Sequence, residues 1–167
     1  TEAWSPLDLK TLARRNLMRV PGNTGASATL SPRGTFIAYR ASDSLGPTFI
    51  VRTDTWQTVS IPDVVRGEFT DDESFYFASS STRLVRFELA TGASADFPPI
   101  YSRLAPGRYV LGAGPSTALS LSLLTTTGGP VPLATAVEGW DSRDALTTFS
   151  DCAAGNCTLK VLPLATG

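Results

Sequence analysis

The chain reads as an all-β protein, and three observations predict it. One pattern recurs along its length: Leu30-Ser31-Pro32-Arg33-Gly34-Thr35-Phe36-Ile37-Ala38-Tyr39 is echoed by Phe69-Thr70-Asp71-Asp72-Glu73-Ser74-Phe75-Tyr76-Phe77, by Leu104-Ala105-Pro106-Gly107-Arg108-Tyr109-Val110-Leu111, and more faintly by Trp140-Asp141-Ser142-Arg143-Asp144-Ala145-Leu146. Aligning Ser31, Thr70, Ala105 and Asp141 gives steps of 39, 35 and 36 residues, within the range of architectures that stack similar units. Leu84-Val85-Arg86-Phe87-Glu88-Leu89 and Leu119-Ser120-Leu121-Ser122-Leu123 alternate with period two, as strands with unlike faces do. Between such stretches stand clusters of Gly, Pro, Asp and Ser, the residues that turn a chain back on itself.

Each unit parses into four short strands. The first has Ala26–Leu30, Phe36–Arg40, Thr48–Thr53 and Gln57–Ile61; the second Gly67–Thr70, Ser74–Ala78, Arg83–Leu89 and Ala93–Phe97. The third has Tyr101–Leu104, Arg108–Leu111, Thr117–Leu124 and Val131–Ala134. The fourth offers Ala136–Trp140, Ala145–Ser150 and Cys157–Leu162, and then Leu164-Ala165-Thr166-Gly167, which matches the turn Leu89-Ala90-Thr91-Gly92. Its outer strand is lacking, while residues 8–20 look like that same turn followed by an outer strand. The expected architecture is therefore one domain over residues 1–167, with an N-terminal arm and closing strand at 1–25. Four propeller-like blades of four antiparallel strands follow, at about 26–62, 67–98, 101–134 and 136–167, the N-terminal segment closing the last one and covering its raw edge. Ser5-Pro6-Leu7-Asp8 is also a helix-start pattern, with Leu9, Leu12, Ala13 and Asn16 on one helical face, so a helix over residues 8–20 is the competing local reading. A half-propeller completed through another chain is the runner-up architecture.

Composition narrows the chemistry. A net charge of -1 supplies no field to attract nucleic acid, and no apolar run approaches the ~20 residues of a membrane span. The chain has no histidine, which rules out histidine-based triads, imidazole general bases and ordinary zinc or copper sites. No cofactor or metal is expected, and no catalytic residue is assigned. Asp71-Asp72-Glu73 could supply oxygen ligands to calcium, but it sits where the repeat turns, and turn chemistry explains it. Glu138, Asp141 and Asp151 are the carboxylates a hydrolase reading would need, with nothing in the sequence that gathers a pair.

The units at 30–39 and 87–92 resemble the WD-like repeats of TolB-type propellers, which read apolar-Ser-Pro-Asp-Gly before an aliphatic and aromatic strand and end a later strand with Asp-Leu-x-Thr-Gly. The likeness spans residues 26–167. This chain has Arg33 at the motif's turn aspartate, and its Ala105-Pro106-Gly107 turn is one residue short. The resemblance implies a scaffold that binds proteins or supports an enzyme domain, usually in the cell envelope. The expected function is a non-catalytic protein-binding scaffold, an accessory subunit of a larger cell-envelope assembly with peripheral membrane association compatible with it. The alternative is an enzyme-associated propeller or a carboxylate-based hydrolase.

Five residues are candidates for partner binding. Arg33, Arg108 and Arg143 occupy neighbouring positions in three first-to-second-strand turns, so a propeller would present them on one face to an acidic partner or to phosphates. Trp56, in an outer turn, and Trp4, in the N-terminal arm, are expected at the surface, where tryptophan anchors interfaces; Trp140 is expected in the core. Cys152 and Cys157, flanking Ala-Ala-Gly-Asn, are read as a hairpin disulfide at the end opposite the arginine turns. That bond, together with a start at Thr1 compatible with signal-peptide removal, points to a periplasmic or extracellular location. Thiol labelling after denaturation without reductant should find no reactive thiol. Reduction should lower stability by no more than ~3 kcal/mol, because the closed loop is short; two reactive thiols would remove the redox argument.

Overall fold

The computed structural model describes residues 3–4, 7–8, 13–14, 18–19, 27–40, 45–114, 119–143, 146–153 and 156–163; side chains are described for 27–40, 45–114, 119–135, 137, 150 and 158. All described regular structure is β. The chain divides into two compact units, Thr1–Val65 and Arg66–Gly167.

The first unit opens with four two-residue strands, β1 (Ala3–Trp4), β2 (Leu7–Asp8), β3 (Ala13–Arg14) and β4 (Met18–Arg19), in which β1 pairs with β4 and β2 with β3. These nested antiparallel pairs correct the expectation that this segment closes the last blade: where it is described, it pairs with itself. Pairing across a handful of residues closes a far smaller loop, at lower entropic cost, than reaching a strand more than a hundred residues away. The described positions are extended, which settles them against a helix.

Next comes a four-stranded antiparallel sheet in chain order, β5 (Ser27–Leu30), β6 (Phe36–Arg40), β7 (Gly46–Arg52) and β8 (Thr58–Val64). The second unit begins with another, β9 (Arg66–Phe69), β10 (Phe75–Ser79), β11 (Leu84–Glu88) and β12 (Ser94–Phe97). These eight strands lie within a few residues of those read from the sequence. The remainder departs from it. Six strands, β13 (Ile100–Ala105), β14 (Arg108–Ala113), β15 (Leu119–Leu124), β16 (Val131–Arg143), β17 (Leu146–Ala153) and β18 (Asn156–Pro163), form one sheet. Three sheets of four or more strands replace the expected four blades. The cause lies in β16, which runs for 13 residues through the place where the third unit should end. Leu133-Ala134-Thr135-Ala136-Val137 contains no Gly, Pro, Asn or Asp to turn the chain, and the strand continues through register shifts, against β15 between Pro132 and Val137 and against β17 between Val137 and Gly139.

A buried hydroxyl builds the repeated turn. Ser31, 3% exposed, accepts a hydrogen bond on its Oγ from the Phe36 amide at 2.9 Å, and its own amide donates to the Phe36 carbonyl. Thr70, 4% exposed, does the same with Phe75, its Oγ1 receiving the amide at 3.1 Å. Each turn then needs one residue in the left-handed region, Gly34 at φ +75° in the first and Glu73 at φ +57° in the second.

In the second unit the sheets β9–β12 and β13–β18 pack through Phe77, Leu84, Tyr109, Leu111 and Leu124, with the Phe77 and Tyr109 rings tilted at 5.0 Å. Two polar clamps span the same junction. The Tyr109 hydroxyl donates to Glu68, whose carboxylate also accepts from Arg103 Nε and Nη2 at 2.9 and 2.6 Å. Burial, reinforced by that carboxylate, holds the Tyr109 hydroxyl protonated well above the usual phenol range. Arg86 lies over the Phe75 and Phe97 rings, 5.3 Å from each, and donates Nη1 to the carbonyls of Thr126 and Gly128. Tyr109→Phe should lower the unfolding free energy by about 1–2 kcal/mol in urea titration, and Leu124→Ala by about 2–5 kcal/mol. A neutral Tyr109→Phe would remove the clamp from the account of this junction.

Candidate functional site

The two turns at one end of the first sheet form the site. Arg33 stands exposed in the β5–β6 turn, and Trp56 in the β7–β8 turn, half-buried where the surface was expected. Thr53 ties the turns together: its amide donates to the Thr35 carbonyl at 2.9 Å, and its hydroxyl contacts the carbonyls of Gly34 and Thr35 at 2.9 and 3.0 Å. Two candidates more than twenty residues apart thus share one small surface.

Beside Trp56 lies an ion pair. Arg52 Nε donates to Asp54 Oδ1 at 2.8 Å, and that bond draws the Asp54 carboxyl below its ordinary range. Both side chains are about half exposed, so the pair does little for folding stability and mainly fixes the guanidinium's direction.

The backbone at Trp56 is unusual for a large side chain. The turn is closed by Arg52 N to Gln57 O at 2.9 Å and Trp56 N to Arg52 O at 2.8 Å. In the second sheet Glu88 N to Ala93 O, 2.8 Å, and Gly92 N to Glu88 O, 2.9 Å, close the same turn. Trp56 therefore occupies the position that Gly92 fills, at φ +60° against +76°. A tryptophan there carries a backbone cost of about 1–2 kcal/mol that glycine escapes. The sequence held this signal, since Thr53-Asp54-Thr55-Trp56 aligns with Leu89-Ala90-Thr91-Gly92. The longer β6–β7 connection shifts the spacing from Ser31 or Thr70 by three residues and hides it.

The other candidates are scattered. Arg108 begins β14, half-buried, and Arg143 ends β16. As β14 and β16 run in the same direction, the two fall at opposite ends of the six-stranded sheet, so they do not share the expected arginine face. Register pairs Cys152 with Cys157 on β17 and β18, next to Asp151, which lies opposite Val137 in the middle of β16. Their side chains, and those of Arg143, Trp4 and Trp140, lie outside the described ones. Asp151 lies opposite Val137 and Asp141 opposite Thr148, four positions further along β16. Among the described residues no three acidic or sulfur-bearing side chains are grouped as a metal would need, and no helix is long and apolar enough to cross a membrane.

No family profile and no curated protein matches the chain. Solved structures similar to it include TolB from Acinetobacter baumannii (TM-score 0.41, 15% identity, 97% of this chain and 46% of that one). A puromycin hydrolase S511A mutant complexed with PGG matches at TM-score 0.43 and 16% identity, over 90% of this chain and 28% of that one. The AfRom2 CNH domain matches at TM-score 0.43 and 11% identity, over 89% and 56%. The chain spans from about a quarter to just over half of these structures' lengths.

Asp72 shows what an acidic residue does in the second sheet's version of the turn. Its carboxylate accepts from the hydroxyls of Thr70 and Ser74, 2.7 Å each, and from the Ser74 amide at 3.0 Å. Those bonds, the Thr70 hydroxyl first, lower its pKa to about 2. A carboxyl with a depressed folded-state pKa stabilises the fold above its unfolded value near ~4 and loses that contribution as pH falls toward 2. The melting temperature of Asp72→Asn should therefore fall less than that of the wild type between pH 4 and pH 2. Parallel pH profiles would show that the turn does not depend on the ionised carboxylate.

Proposed function

We propose that the chain is a non-catalytic protein-binding scaffold, an accessory propeller-like module of a larger cell-envelope assembly, acting in the periplasm or outside the cell. The observation that carries this reading is the joining of Arg33 and Trp56 at one end of the first sheet by the Thr53 hydrogen bonds. Two antiparallel strand pairs hold these turns from behind, so an arginine and an aromatic side chain are displayed on a rigid base. Rigid display of such residues lowers the ordering cost of association and is typical of binding-energy centres. The location is supported by the direct register of Cys152 with Cys157. Directly opposed residues of antiparallel strands have Cα atoms about 4.5–5.5 Å apart, a span a disulfide accepts.

Affinity capture from source cells with quantitative mass spectrometry tests this, using the wild-type chain and an Arg33→Ala/Trp56→Ala variant of unchanged circular dichroism. The wild type should retain a reproducible protein partner in near-equimolar amount, and the variant should lose most of it. Equal recovery by both, or glycoside hydrolysis by the purified chain, would count against the reading.

A further inference from the structure

We propose that Asn156 is an acceptor for an N-linked oligosaccharide, carried at the open edge of the six-stranded sheet. This goes beyond the binding reading and rests only on its exported location, because the sugar donor is met on the exported side of the membrane. Two independent observations carry it. The first is chemical. The chain has three asparagines, and only Asn156, in Asn156-Cys157-Thr158, meets the acceptor pattern of asparagine followed two residues later by serine or threonine with no proline between; Asn16 is followed there by Met18 and Asn23 by Gly25.

The second is placement. Asn156 opens β18 and pairs with Ala153 across a two-residue connection, so it stands at the tip of the β17–β18 hairpin. β18 is the last strand of its sheet, and among the described residues no strand pairs with its outer side. Successive residues of a strand alternate between faces, which puts Asn156 and Thr158 on one face and Cys157 on the other. Thr158 is exposed, so the face that carries the acceptor pattern meets solvent. The register of Cys157 with Cys152 lies on the opposite face, and a disulfide and a glycan are therefore compatible on one hairpin. A bulky, hydrated group at this place also shields a row of backbone groups that would otherwise offer a template to another strand.

The reaction forms a bond between the Asn156 side-chain nitrogen and the anomeric carbon of a sugar, and breaks the bond from that carbon to the diphosphate of a lipid-linked oligosaccharide donor. The lipid diphosphate leaves with the bonding electron pair, and the amide nitrogen gives up one proton to a base of the transferring enzyme. The Thr158 hydroxyl is the group by which that enzyme recognises the acceptor.

Peptide mass spectrometry on the chain purified from the exported fraction of its source cells tests this. The peptide that contains Asn156 should carry an oligosaccharide mass, and a peptide N-glycosidase should remove it and leave aspartate at that position. Asn156→Gln and Thr158→Ala should each abolish the added mass, whereas Thr158→Ser should keep it, which separates recognition from folding. A Thr158→Ala chain modified as the wild type is, or an unmodified Asn156 in an exported chain whose two cysteines are bonded, would overturn the proposal and leave the exported location standing. An unmodified chain recovered from the cytoplasm with both thiols free would overturn both.

Discussion

The first two sheets depend on one hydrogen bond, the capture of a backbone amide by a buried hydroxyl five residues earlier. Ser31 with Phe36 and Thr70 with Phe75 satisfy polar groups that would otherwise be stranded beneath the turn. A one-residue slip in an antiparallel pair moves every side chain to the other face, so fixing the turn fixes the core. Phe36, Ala38, Tyr76 and Ala78 are buried in the registers that these turns set. The second turn of each sheet is tied back to the first, by Thr53 to Thr35 and by Leu89 to Ser74. Two connections far apart in sequence therefore always arrive at the same end.

The framework repeats while its chemistry diverges. At the turn end of the first sheet stand Arg33, Arg52, Asp54 and Trp56; at that of the second, Asp71, Asp72, Glu73 and Glu88. In the second sheet the polar residues are occupied with the turn itself, Asp72 with Thr70 and Ser74, and Glu88 with the Thr91 hydroxyl at 2.5 Å. In the first the left-handed Gly34 and the Thr53 hydroxyl already meet the backbone's needs. The two turn ends thus share a backbone and differ in the side chains that satisfy it.

The outer strands are guarded against indiscriminate pairing. β8 carries Pro62, which has no amide to donate, followed by Asp63 at φ +52° where the register shifts against β7. β12 is short, holds Asp96 in an ion pair with Arg83 at 3.2 Å, and is followed by Pro98 and Pro99. Such features allow specific contacts through side chains while blunting backbone addition along the edge.

The sequence by itself determined the strands and the turns, because these follow from local rules. Alternation marks the faces, and Ser, Thr, Gly and Pro mark the reversals; β5 to β12 lie almost where those signals place them. It also singled out Arg33 and Trp56 by residue type. What only the tertiary structure decided is which elements meet. Val131–Arg143 became one strand because a missing turn signal between Ala134 and Val137 lets pairing continue, and the units that look separate in sequence merged into one sheet. That merger put Arg108 and Arg143 at opposite ends, whereas the hydrogen bonds of Thr53 put Arg33 and Trp56 together. The equivalence of Trp56 and Gly92 was likewise invisible until matching backbone hydrogen bonds revealed it. Backbone conformation and non-local pairing are properties of the folded chain, and three extra residues in one connection are enough to hide them from any alignment of letters.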